Sequence, residues 1–430
     1  MARPMEGFKD LRELGRWAAN LMRPGIGLKR WLGLALFGTV TIAAGMTIAS
    51  NVSLLETLRE LGRLSTFGGA ISDIVRGASI SIVGLGMVFL AIFMLFRRVS
   101  IGALYGQGQI GVIESLTRQQ FRRHGRRVVV IGGGTGQSTV LRGFGDFTDN
   151  ITAIITVADD GGSSGRLRSE LGIAPPGDAR QCLIALSDSG PLLERIFDYR
   201  FESGDSLKGH SVGNLLLAAL VDTEGSFPKA LVAAGELLVV HGHVAPSTVS
   251  SNVKLLAKLQ SGQMLVGESV IGNAGQTIAD LWIEPRDAKV NEDAVKAIAE
   301  AELIVIGPGS LYTSLLPNLL VPGLADAVRT SRAPKVYICN LAQQPGETDD
   351  MSEVDHLQTL ERLSGIAVTH FLVNDHLGAL AGRPLANTEK PWRDQLRKGL
   401  RVIEADLVDT TNVTHHDPAK LMRVLLHLGI

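Results

Sequence analysis

Residues 126–144 read RRVVVIGGGTGQSTVLRGF, and the order of residue types in this stretch decides the fold. Val128, Val129, Val130 and Ile131 form an unbroken apolar, β-branched run, the pattern of a strand buried on both faces of a parallel sheet. Gly132, Gly133, Gly134 and Gly136 follow as a turn, and a helix-compatible segment comes next. Glycines let the backbone approach an anion closely, and a helix N-terminus offers unpaired N–H groups at the positive end of its dipole. Gln137 stands where the third glycine of G-x-G-x-x-G would fall, so an ordinary tight βα turn is the competing interpretation. The segment predicts an α/β domain with a Rossmann-like, mostly parallel sheet and helices on both faces. Gly132, Gly133, Gly134, Thr135 and Gly136 are its first candidate ligand contacts.

The next apolar run, Ile151 to Val157, ends in ADDGGSSGR (158–166). Asp159 lies 27 residues after Gly132, and a Rossmann unit places its ribose-binding acid at the tip of the second strand, about 20 residues on. Two adjacent acids allow a division of labour, in which one holds a hydroxyl while Asp160 ligates Mg²⁺ or acts as a base. A solvated Asp-Gly turn is the plainer alternative. Ser163 and Ser164 add hydroxyls to the same loop, while Arg166 and Arg168 suit either phosphates or a solvated helix face. In LGIAPPGDARQCLIAL (171–186), Pro175, Pro176 and Gly177 make a rigid turn. Asp178 reads there as a helix N-cap or a cleft acid, with Arg180 beside it. KGHSVGN (208–214) precedes an apolar helix and brings Asn214 to the cleft. His210, a lone histidine beside a glycine, reads more readily as structural.

The second half repeats the pattern. Leu303 to Ile306 run into Gly307, Pro308, Gly309 and Ser310, and PKVYICN (334–340) runs into LAQQPGETDDMS (341–352). A second glycine-rich strand end is what a ligand at the carboxyl edge of a parallel sheet requires, so Gly307, Gly309, Ser310, Asn340 and Glu347 complete the candidate set. The pair His241 and His243 lacks a third spaced ligand and argues against zinc. G-x-S-x-G, H-E-x-x-H and G-x-x-x-x-G-K-[ST] do not occur, which removes serine hydrolase, zincin and Walker-type ATPase readings.

The mean hydropathy of +0.19, at 5% aromatic residues, has its source in the first hundred residues. Uncharged stretches at about 31–52 and 77–96 are each long enough for a membrane span of about 20 residues. Residues 1–98 thus read as a membrane hairpin, 99–125 as a basic juxtamembrane linker and 126–430 as the nucleotide-binding domain. Arg3, Lys9, Arg12, Arg16, Arg23, Lys29 and Arg30 precede the first span, against Arg59, Arg63 and Arg76 between the spans. This bias places both termini and the C-terminal domain in the cytoplasm of a multi-pass membrane protein. Arg118, Arg122, Arg123, Arg126 and Arg127 suit anionic headgroups. The formal charge of −1 carries no whole-chain footprint for nucleic acid, and two cysteines, Cys182 and Cys339, provide no disulfide framework.

IGGGTGQSTVLRG, TVADDGGSSGRLR, LGIAPPGDARQCLIAL, GHSVGNLLL, IGPGSLYTSLLPNLLVPG, CNLAQQPGETDDMS and the closing HHDPAKLMRVLL, in this order, resemble the gluconeogenesis factor (YvcK) group of the CofD-like family. The resemblance covers nearly all of the chain after Arg127 and leaves the hydrophobic hairpin outside. It implies a regulator that binds UDP-type nucleotide-sugars and is linked to cell shape, cell-envelope metabolism and growth on gluconeogenic carbon. Distant relatives, the 2-phospho-L-lactate transferases, move a phospho-acid group from a guanosine diphosphate carrier to an acceptor hydroxyl. Asp159 and Asp160 would be the catalytic pair if the chain were such an enzyme. Carried over, Gly133 to Gly136 would cradle the diphosphate, and Asn214, Gly309, Ser310 and Asn340 match cleft positions. Ala179, Gln181 and Gln137 depart from the family pattern. A dehydrogenase is the fold-level default for such glycine turns, but the motif set points elsewhere. No cofactor is required, Mg²⁺ is compatible, and protein partners and a homo-oligomer are left open.

Overall fold

A computed structural model describes residues 28–49, 73–103, 122, 124–145, 147–375 and 396–428. The chain divides into two compact units, residues 1–121 and 122–430. In the second unit the strands are, in chain order, β1 (Val128–Gly132), β2 (Ile151–Ile155), β3 (His243–Pro246), β4 (Lys254–Leu259), β5 (Met264–Val266), β6 (Ile278–Glu284), β7 (Leu303–Ile306), β8 (Lys335–Ile338), β9 (His370–Asn374) and β10 (Arg401–Ala405).

Seven of these form one sheet in the order β10-β9-β8-β7-β1-β2-β3, with every pairing parallel. The chain fills the sheet outward from β1 through β2 to β3, then returns to the other side of β1 and fills outward from β7. The order reverses between β1 and β7, which makes the crevice beyond their carboxyl ends the topological switch point. Ile131 pairs with Ile306, so the two glycine turns leave the sheet side by side. Every residue of β1, β7 and β8 is buried, as a parallel sheet with both faces covered requires. The α/β architecture expected from the sequence is therefore present.

β4, β5 and β6 make a separate antiparallel sheet in the order β5-β4-β6, inserted between β3 and β7. A four-residue helix, Glu268–Ile271, follows β5. β2 stops at Ile155, short of the expected Val157, because Thr156 leaves the ladder and its hydroxyl accepts the Ala158 N–H at 3.1 Å. Gln137 is fully buried in the helix Gly134–Phe144. Its Nε2 donates to the carbonyls of Val130 (2.8 Å) and Ile154 (2.9 Å), and its Oε1 accepts from the Cys182 thiol at 3.3 Å. The departure from the family pattern there is thus a fully satisfied polar staple between β1, β2 and the helix Gly177–Ala185.

In the first unit, helices Leu28–Ala49 and Asp73–Ala103 pack on each other. Contact is made through small residues. A Cβ on Gly38 would stand 2.8 Å from the Gly84 carbonyl oxygen, one on Gly84 2.7 Å from that of Gly38, and one on Gly45 2.4 Å from Ser81 Oγ. The large apolar side chains face away from this seam, with Leu36, Phe37, Ile82, Leu85, Phe89 and Ile92 all exposed. Arg76–Met94, 19 residues at a mean hydropathy of 2.2, is long and apolar enough to cross a membrane, while the apolar stretch Gly33–Ile48 is shorter. Residues 50–52 of the expected first span lie outside the described residues, as do Arg3, Lys9, Arg12, Arg16, Arg23, Arg59, Arg63, Arg118 and Arg123. Arg122 belongs to the second unit, where its Nε lies 2.7 Å from Asp149 Oδ1.

Candidate functional site

The glycine turn after β1 and the turn after β7 touch. A Cβ on Gly136 would stand 2.3 Å from the Pro308 carbonyl oxygen, and one on Gly309 3.6 Å from that of Gly133. The loop after β7 is braced by a relay of amides. The Gly309 N–H donates to Asn340 Oδ1 (3.2 Å), Asn340 Nδ2 to Gln344 Oε1 (3.0 Å), and Gln344 Nε2 to Ser310 Oγ (2.6 Å). Glu347 accepts the N–H groups of Tyr312 (2.8 Å) and Thr313 (3.2 Å) at the start of the turn Leu311–Leu315. Asn318, buried, donates to the carbonyls of Gly132 and Ser314, each at 2.8 Å, and ties this segment to the end of β1. Gly307, Gly309, Ser310, Asn340 and Glu347 are therefore one assembly with Gly132 to Gly136.

The acids enter from the other side. Asp178 falls in the first turn of the helix Gly177–Ala185, whose N-cap is Pro176, so it is not the N-cap expected from the sequence. Its carboxylate instead takes the Gly134 N–H, and a Cβ on Gly133 would lie 2.3 Å from its Oδ2. The amide that opens the helix Gly134–Phe144 is thus already held by the protein's own carboxylate. Burial, reinforced by the charge of Asp159, pushes Asp178 up to about 7, against the opposing effects of the Gly134 N–H and Arg180. Asp159 closes an Asx turn with the Gly161 N–H at 2.8 Å. Burial raises it, while the Gly161 N–H and the Ser164 hydroxyl work the other way. Asp160 accepts the N–H groups of Glu268 (3.1 Å) and Ser269 (2.9 Å), so it caps the short helix that follows β5.

That contact brings in a residue the sequence reading missed. Burial and the charges of Asp159, Asp160, Glu347 and Asp178 push Glu268 up to about 8. Glu347 is also raised, chiefly by burial. Nothing local marks Glu268, because only the folding of the inserted sheet carries it to the crevice. Among the described residues, no group of three or more His, Cys, Asp or Glu is arranged to hold a metal ion.

Behind the acids lies a buried polar layer. Arg166 Nε donates to His210 Nε2 at 3.1 Å, which assigns the ring proton to Nδ1 and directs it to Ser163 Oγ at 2.9 Å. Asn214 Nδ2 donates to the same oxygen at 3.1 Å, and Asn214 Oδ1 accepts from Arg180 Nε at 3.1 Å. Arg180 also pairs with Asp198. His210, lowered by burial and then by Arg166, is bonded through both ring nitrogens within this layer. Arg168 donates to the carbonyls of Val157, Ala158 and Asp159 and of Val253, so it braces the acidic loop instead of meeting solvent. His241 pairs with Asp188 and Asp149.

This combination of fold and loops recurs in known proteins. Residues 128–408 match the family 2-phospho-L-lactate transferase CofD. The gluconeogenesis factor of Halalkalibacterium halodurans is 48% identical over 265 residues, covering 62% of this chain and 80% of that protein. The gluconeogenesis factor of Bacillus subtilis is 42% identical over 310 residues, covering 70% of this chain and 98% of its own length. A relative from Nostoc sp. is 40% identical over 418 residues, covering 94% of this chain and 91% of its own. The crystal structure of a UPF0052 family protein from Bacillus halodurans superposes with a TM-score of 0.66 at 42% identity, over 71% of this chain and 99% of that one. The chain belongs to the CofD family and, within it, to the gluconeogenesis factor group.

Proposed function

We propose that the chain is a regulator that binds a UDP-type nucleotide-sugar at the β1/β7 switch point, in keeping with the gluconeogenesis factor name its relatives carry and with a role in cell shape and envelope metabolism. The observation that carries this reading is the contact of two glycine turns beside Asp159 and Asp178. A sugar and a uracil ring offer hydroxyl and imide donors, and carboxylates are acceptors for both. Raised carboxyls also give up charge readily when a diphosphate approaches. The transferase alternative asks Asp160 for a metal or a proton, but that carboxylate is occupied in capping the helix Glu268–Ile271.

The test is calorimetric titration of the full-length chain with UDP-N-acetylglucosamine, UDP-glucose, GDP and NAD⁺, with and without Mg²⁺. UDP-sugars are expected to bind preferentially and to be recovered unchanged. A preference for GDP that depends on Mg²⁺ would move the assignment to the transferase.

The membrane hairpin is part of the same proposal. Small residues line the seam between the two helices while Phe and Leu side chains face outward. This inverts the arrangement of a water-soluble helix pair and suits packing in lipid. Both termini and the nucleotide-binding domain would lie on the cytoplasmic side. The Bacillus subtilis relative aligns over 98% of its length with only 70% of this chain, so the second unit is expected to stand alone. Deleting residues 1–98 should move the protein from the membrane to the soluble fraction; a truncated chain that still sediments with membranes would show another anchor.

A further inference from the structure

A cavity of about 270 Å³ lies along the helix Gly134–Phe144, between it and the helix Gly177–Ala185. Its charge is opposite to that of the crevice. Arg142 reaches it from the last turn of the first helix, exposed and in no ion pair among the described residues. Arg180 lines it from the second helix, and its Nε and Nη1 are the atoms engaged by Asn214 and Asp198. His415 closes it, with Nδ1 2.9 Å from Thr414 Oγ1 and the other ring nitrogen unbonded among the described residues. Two arginines and a histidine face the single carboxylate of Asp198.

The side-chain oxygen of Gln181 is shut off from solvent in the wall of this cavity, and among the described residues it has no hydrogen-bond donor. Buried acceptors are nearly always satisfied in folded proteins, so a ligand hydroxyl that this side chain turns to meet would complete it. Guanidinium groups recognise phosphate oxygens by paired, charge-assisted hydrogen bonds. The volume falls just short of the roughly 300 Å³ at which ligand pockets begin, which restricts it to a small metabolite.

We propose that this groove is a second binding site, for a hydroxylated phosphate monoester of the sugar phosphate class, with Arg142, Arg180 and His415 on the phosphate and Gln181 on a hydroxyl. Thr135 of the first glycine turn and Arg180 line this groove, so it adjoins the nucleotide crevice and differs from it in carrying arginines where the crevice carries acids.

Titration of the full-length chain with glucose 6-phosphate, inorganic phosphate and glucose tests the assignment. Glucose 6-phosphate is expected to bind more tightly than phosphate, and glucose not at all. Arg142→Ala, a change at an exposed side chain, should weaken glucose 6-phosphate at least tenfold. Gln181→Leu should reduce its affinity to that of phosphate, and both variants should hold UDP-N-acetylglucosamine within twofold of the unaltered chain. The assignment is overturned if neither anion binds at millimolar concentration, if the sugar adds nothing to phosphate, if Arg142→Ala has no effect, or if UDP-N-acetylglucosamine displaces glucose 6-phosphate. Failure of UDP-sugars to bind while the groove titration behaves as stated would remove the crevice reading alone.

Discussion

Gly136→Ala is expected to lower the unfolding free energy by about 3 kcal/mol, the upper part of the range for forcing extra volume into a packed site, and to abolish ligand binding in the crevice. The added methyl would stand 2.3 Å from the Pro308 carbonyl oxygen and 2.8 Å from its carbon, both backbone atoms. No flexible side chain is available to swing aside. Relief requires the ends of β1 and β7 to separate, yet both strands are buried at every residue and locked in register from Val128↔Leu303 to Ile131↔Ile306. The crevice is the gap between these two ends, so strain and loss of function have one cause. Gly145→Ala is the control: its nearest contact would be 3.5 Å away and its backbone is already right-handed helical. Denaturant unfolding of the two variants checks the difference. A Gly136→Ala protein as stable as the unaltered chain would mean that the turns do not touch.

The parts of this site that the sequence exposed are those encoded by backbone demands. A β-branched run ending in glycines has few meanings, and the two such runs at Val128–Ile131 and Leu303–Ile306 proved to be neighbouring strands. What the sequence concealed depends on which side chain reaches which amide. Asp178 looked like the cap of its own helix, but it holds the first amide of the helix that follows β1. Asp160 looked free for metal or substrate, and it caps a four-residue helix more than a hundred residues away. Gln137 looked like a flaw in the glycine pattern and is a buried tie between two strands. Asn318 left a legible trace, as a lone amide in the apolar run SLLPNLLVPG, a place where a buried polar group needs a specific partner. Glu268 left none.

The second large effect is on pH dependence. Glu268 and Asp178 have folded pKa values raised above their unfolded ones, so the folded state binds more protons than the unfolded state between those values, and stability falls as pH rises. For Asp178 the window runs from the ordinary 3.8 to about 7, and for Glu268 from 4.5 to about 8. Full conversion at about 1.4 kcal/mol per unit would overstate the cost, because both side chains are only half-buried and water screens their repulsion. A loss of about 2 kcal/mol between pH 5 and pH 8 is the expected result after that discount. Glu268→Gln removes the largest share. The variant should match the unaltered protein near pH 4.5 and exceed it by about 1–2 kcal/mol at pH 8, read from denaturation midpoints across the range. The same sign governs the ligand. A diphosphate entering among these acids raises them further, so UDP-sugar binding near pH 7 should take up protons, visible as a dependence of calorimetric heat on the buffer's ionisation enthalpy. A stability profile flat from pH 5 to 8 would show that the carboxylates are solvated and apart, and the proton uptake would vanish with it.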